Sequence, residues 1–210
     1  MFNVETILFN YIRRRASLLL LASLIVSVMT VSLTAVSATA VSATAEDTMQ
    51  INLNDPSGLS RWKISNDTVM GGVSTSQIGL SADQQAIRFN GTVSLENQGG
   101  FASAEYQLRQ LMTPATQLTL TVKGDGKVYQ LRLKTPHLNY GEAYVADFVT
   151  TANTVTKHTF SAEDFYVSFR GRKVSPAAEL AFEHLDRLGI LIAKQQQGSF
   201  AIEIQSVQFK

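Results

Sequence analysis

Two kinds of apolar pattern divide the chain. Near the start, Ala16 to Met29 is an almost unbroken apolar run, while past Ala45 apolar and polar residues alternate. Ala86-Ile87-Arg88-Phe89-Asn90, Leu118-Thr119-Leu120-Thr121-Val122 and Val128 to Lys134 all show a period of two, which marks half-buried strands. In the last of these Tyr129, Leu131 and Leu133 point one way and Gln130, Arg132 and Lys134 the other. Further strands are expected over Phe101 to Leu108, Ala143 to Thr150, Val155 to Phe160, Ile190 to Ala193 and Phe200 to Phe209, with Trp62 opening another. Within Phe200 to Phe209 the apolar set moves from Phe200, Ile202 and Ile204 to Val207 and Phe209, so a bulge is expected near Gln205-Ser206. The Asp125-Gly126 pair in Lys123 to Lys127 predicts a hairpin joining its flanking strands. One helix is expected: Ser175 as N-cap, Pro176 at the first helical position, Ala177 to Arg187 as its body, and Gly189 closing it. Many short strands and one short helix near the C-terminus give an all-β fold, an antiparallel two-sheet sandwich of jelly-roll topology.

The N-terminal run has the grammar of an export signal. Arg13-Arg14-Arg15 precedes it, and the repeated Val-Ser-Ala-Thr-Ala of Val36 to Ala45 supplies small residues for cleavage, preferably after Ala45. Retention as an anchor through residues 16–36 is the alternative, since that stretch is long enough to span a bilayer. The expected organisation is a signal peptide or anchor over 1–45 and one domain over 46–210, exported to the periplasm or tethered to the inner membrane.

Charge and composition then exclude several functions. Without Arg13, Arg14, Arg15 and Glu5, the 18 basic and 17 acidic residues become 15 and 16. No basic excess remains to attract nucleic acid. The absence of cysteine excludes disulfides, thiolate metal sites and cysteine nucleophiles. His137, His158 and His184 are the only histidines, and no pair of them has the spacing of a metal site. Gly-x-Ser-x-Gly is absent, and among the acids available for paired-carboxylate chemistry, which include Asp67, Glu96 and Asp147, Glu163-Asp164 reads as a solvated turn and Asp125 as part of the hairpin. A non-catalytic protein without a cofactor or metal is expected.

Two glycine-rich stretches carry the binding prediction. They are Asn66-Asp67-Thr68-Val69-Met70-Gly71-Gly72-Val73-Ser74 and Ser94-Leu95-Glu96-Asn97-Gln98-Gly99-Gly100-Phe101-Ala102-Ser103. Paired glycines mark positive φ or close backbone approach. Asn66 and Asp67 can accept from local N–H groups and stiffen the first loop, and Glu96 and Asn97 can do the same for the second. Met70 offers an adaptable apolar contact. Asn66, Asp67, Met70, Gly71, Gly72, Ser74, Glu96, Asn97, Gly99 and Gly100 are therefore the candidate binding residues, joined by Arg170 and Arg172, whose guanidinium groups suit a carboxylate-bearing partner.

With Trp62, Phe89-x-Gly91, Lys123-Gly124-Asp125-Gly126, Phe169-Arg170-Gly171-Arg172 and Leu188-Gly189-Ile190, these loops resemble the complex I intermediate-associated protein 30 family over about Leu53 to Phe209. The resemblance implies a galactose-binding-like jelly roll. For mitochondrial members it also implies a non-catalytic role as an assembly factor for respiratory NADH:ubiquinone oxidoreductase. The expected function is an assembly or binding module that grips a protein partner, such as a membrane or respiratory complex component, through its glycine loops. A carbohydrate-binding module is the alternative; it needs an exposed aromatic platform drawn from Trp62, Tyr106, Tyr129, Tyr140, Tyr144 and Tyr166.

Overall fold

A computed structural model describes residues 48–53, 55–109, 112–175 and 178–210, so the expected signal or anchor lies outside the described residues. Thirteen strands run along the chain: β1 (Met49–Ile51), β2 (Trp62–Asn66), β3 (Thr75–Leu80), β4 (Ile87–Val93), β5 (Ala102–Gln107), β6 (Leu118–Lys123), β7 (Val128–Lys134), β8 (Glu142–Val149), β9 (Val155–Phe160), β10 (Tyr166–Phe169), β11 (Arg172–Lys173), β12 (Arg187–Ile192) and β13 (Gly198–Phe209). One sheet has the order β3-β4-β13-β6-β9, with β1 also on β13, and the other the order β11-β10-β8-β7-β12-β5-β2. The described strand pairs are antiparallel. The fold is the expected antiparallel jelly-roll sandwich.

Alternation explains the packing. Tyr129, Leu131 and Leu133 are fully buried between the sheets, while Gln130, Arg132 and Lys134 stand on the outer face of β7. The long strand β13 meets β6 with a register shift between Ile204 and Ser206, so Phe200, Ile202 and Ile204 and then Val207 and Phe209 all reach the same core. Trp62 is buried with its ring centroid 5.1 Å from that of Tyr106, and its indole N–H has no acceptor among the described residues.

Two expectations are corrected. Lys123 to Lys127 is not a hairpin: β6 pairs with β13 and β9, whereas β7 pairs with β8 and β12 in the other sheet. The segment is an arch between sheets, held by the Asp125 carboxylate. That group accepts from Ala201 N at 2.9 Å, Lys127 N at 3.1 Å and the Tyr129 hydroxyl at 3.1 Å. Gly124 is required because a Cβ there would lie 2.3 Å from the Thr150 Cβ.

The helix expected over Ala177 to Arg187 is reduced, among the described residues, to one 3-10 turn at Phe182–His184. Phe182, Leu185 and Leu188 are all buried, and the chain is already extended as β12 at Arg187. Gly189 does not close a helix. It sits in mid-sheet, where an added Cβ would lie 2.9 Å from the Ala104 carbonyl oxygen of β5. Burial between two strands outweighs the helical preference of the local sequence.

Candidate functional site

The first glycine loop leaves the end of β2, and the second leads into β5, which pairs with β2. Pairing ends at Asn66 with Ala102, so the two loops emerge side by side. Asp67 follows at once and is fully buried. Its backbone N–H donates to the Phe101 carbonyl at 3.3 Å, and its own carbonyl accepts from Gly72 N at 3.0 Å.

The Asp67 carboxylate joins the loops. Oδ1 accepts from Ser74 N at 2.9 Å. Oδ2 accepts from the Ser74 hydroxyl, from Gly100 N at 2.6 Å and from Phe101 N at 3.3 Å. Burial alone would raise the pKa of this group, but the hydrogen bonds from Ser74, Gly100 and Phe101 outweigh it and hold the carboxyl below its ordinary value. The Ser74 hydroxyl also accepts from Ser94 N at 2.9 Å, extending the junction to the start of the second loop.

The glycines make room for this junction. A Cβ on Gly72 would stand 2.4 Å from the Asp67 Cγ, and one on Gly99 would stand 2.6 Å from Oδ2. Gly71 needs its glycine for another reason, a left-handed φ of 93° in open space. Asn97 does not stiffen its own loop: its side-chain amide donates across to the Gly71 carbonyl at 3.1 Å, while its backbone takes φ 54°. Asn66 accepts from the Ser76 hydroxyl at 2.7 Å and so ties β2 to β3.

The expected site residues therefore separate by role. Asp67, Gly72 and Ser74 are buried and hold the loops, whereas Met70, Glu96 and Asn97 are exposed on them. Sequence reasoning missed the companions of Met70. Val69 is 72% exposed, Met70 63%, Val73 44% and Leu95 36%. These make up half of the eight large exposed hydrophobics among the described residues, gathered on two tethered loops. The Val69-Met70 pair beside Gly71-Gly72 was the available signal. Arg170 and Arg172 do not join this surface. Arg170 lies in the β10–β11 turn and Arg172 opens β11, so they stand five to six strand steps across the sheet from β2, about 24 Å or more at sheet spacing.

Of the six rings considered for a sugar platform, Trp62, Tyr106, Tyr129 and Tyr144 are buried, Tyr140 is fully exposed and Tyr166 is half-buried. Among the described residues no group of three His, Asp or Glu side chains could hold a metal ion.

Comparison with curated proteins finds no match. Among solved structures, the chain is similar to a family 11 carbohydrate-binding module from Clostridium thermocellum in complex with a β-1,3-1,4-mixed-linked tetrasaccharide. The TM-score is 0.55 and the identity 12%, covering 77% of this chain and 94% of that one. The family 11 module of a cellulosomal cellulase from the same organism gives a TM-score of 0.56 at 12% identity, with the same coverage. An agarase gives 0.51 at 6% identity over 78% of this chain and 24% of that one. At these identities the likeness is one of fold. The family model described as complex I intermediate-associated protein 30 (CIA30) matches residues 51–204, from β1 through the loops to β13, and the chain belongs to that family.

Proposed function

We propose that this protein is a non-catalytic assembly module that holds a protein partner on the apolar surface of its two glycine loops. The observation that carries the reading is the exposure of Val69, Met70, Val73 and Leu95 on loops locked together by one buried carboxylate. Exposed apolar side chains gathered on a rigid support suit association, because the loops lose little conformational entropy on binding. The family description, an association with complex I intermediates, is consistent with a protein partner of respiratory type. In this reading residues 1–45 direct export, and the domain works at the outer face of the inner membrane. The test is co-purification from cells with a Val69→Ser, Met70→Ser, Val73→Ser triple variant. The account predicts an unchanged melting temperature and loss of a partner that the unaltered chain retains; full retention refutes it.

A carbohydrate ligand is the second reading. It is supported by the rings that remain accessible on β10 and between β7 and β8: Tyr166, Phe169, the latter 39% exposed, and Tyr140.

A further inference from the structure

The outer face of the second sheet carries a charge distribution that the loops do not use. In register across six strands stand Lys63, Glu105, Gly189, Arg132, Val145 and Tyr166. Gly189 and Val145, both short, flank Arg132 in the row, and Arg132 is half-buried. Val145 is fully buried yet stands apart from the core cluster between the sheets, as does Ala143 two residues before it. The middle of this outer face is therefore a covered strip of short side chains between longer polar ones.

The acids on this face already have partners. Glu105 accepts from Lys134 at 2.5 Å and from Arg187 at 3.0 Å, and Asp147 accepts from Lys194 at 2.7 Å. Arg132 makes no hydrogen bond or ion pair among the described residues; burial pushes its pKa below the ordinary arginine value, against the opposing pull of Glu105 and Tyr166. Lys173 lies 5.8 Å from the Tyr166 ring centroid. Six cations (Lys63, Arg132, Lys134, Lys173, Arg187 and Lys194) thus stand against Glu105 and Asp147, on a domain that has more acids than bases. A desolvated guanidinium with unused donors favours a carboxylate held in a bidentate pair.

We propose that this outer face binds a polysaccharide carrying carboxylates, a uronic-acid chain, with Arg132 gripping a carboxylate and the Tyr166 ring packing against the adjoining sugar. Polar side chains suited to hydroxyls lie in the neighbouring row, where Ser65, Ser103 and Gln130 share the register with Leu191 between the last two. An acidic peptide fits less well. The strands beneath Arg132 are paired on both sides and offer no backbone edge for strand addition. The inference rests on the carbohydrate reading for its ligand class and is independent of the glycine loops.

The test is affinity electrophoresis of the full chain, in mild detergent throughout, through gels containing polygalacturonate, a neutral mixed-linked β-glucan or polyglutamate. Expected are retardation by polygalacturonate that weakens with salt, and an affinity reduced about ten- to hundredfold in Arg132→Gln, the range for losing a charged hydrogen-bonded contact. Arg132→Lys should recover only part of it, Tyr166→Ala should weaken it, and Met70→Ser should leave it unchanged. Melting temperatures establish that each variant is folded. Equal retardation by polyglutamate, or Arg132→Gln binding as tightly as the unaltered chain, overturns the proposal. Binding to the neutral glucan alone overturns the acidic ligand but leaves the carbohydrate reading standing, and retardation by no polymer removes both.

Discussion

Replacing Gly72 with Ala adds one methyl group, and the structure gives it nowhere to go. The new Cβ would lie 2.4 Å from both Cγ and Oδ1 of Asp67 and 2.8 Å from its Cβ. The carboxylate cannot move aside without losing its bonds from Ser74, Gly100 and Phe101. Hydrogen bonds to a charged group contribute about 1.5–3 kcal/mol each, so displacing the carboxylate should cost about 3–5 kcal/mol. Gly71→Ala is the contrast. Nothing stands within 4 Å of its Cβ, and the left-handed φ of 93° alone should cost about 1 kcal/mol. The assay is urea unfolding of Gly72→Ala, Asp67→Ala and the double variant. With the carboxylate gone, Gly72→Ala should cost at least 2 kcal/mol less than it does in the unaltered chain, because only the Cβ contact remains. Additivity to within about 0.5 kcal/mol would mean that Gly72 and Asp67 act independently, and the account of the paired glycines would fail.

Three further outcomes follow from the same geometry. Asp67 has its pKa lowered by folding, so its stabilisation is complete above the ordinary aspartate value near 3.9 and is lost as pH falls through the folded value. Asp67→Asn should therefore be strongly destabilised at pH 6, with the gap narrowing towards pH 3 in urea titrations; a gap independent of pH contradicts this. Asp125→Ala should lose about 2–4 kcal/mol, through three hydrogen bonds at the arch, whereas Tyr129→Phe, which removes one, should lose about 1 kcal/mol. Gly189→Ala, with its Cβ 2.9 Å from a backbone oxygen of β5, should lower stability by about 1–3 kcal/mol in thermal unfolding.

The strands were legible wherever alternation was clean, as in β7, and the phase slip in β13 located its bulge. The arch at Asp125 was misread because an Asp-Gly pair is a local signal, while the carboxylate's decisive partner, Ala201, lies far along the chain. The segment ending at Gly189 was misread because its apolar spacing suits a helix, and only the neighbouring strands show why a glycine is needed there. The loops themselves stood out through their glycines. Asp67 was understood as a local cap, yet its bonds to Gly100 and Phe101 reach the other loop, a relation that depends on the pairing of β2 with β5. Arg132 was placed on the outward face by alternation, but its row of neighbours is a product of register, which no single strand's sequence contains.

The central claim is that Met70 and its neighbours are the contact surface, displayed by loops that Asp67 locks. Photo-crosslinking in cells, with a photoreactive residue at Met70 or, as control, at the exposed Tyr140 between β7 and β8, tests this most directly. A protein adduct formed at Met70, absent at Tyr140 and lost when Asp67→Asn is added to a still-folded chain is the predicted result. Equal adducts at both positions, or an adduct at Tyr140 alone, would contradict it.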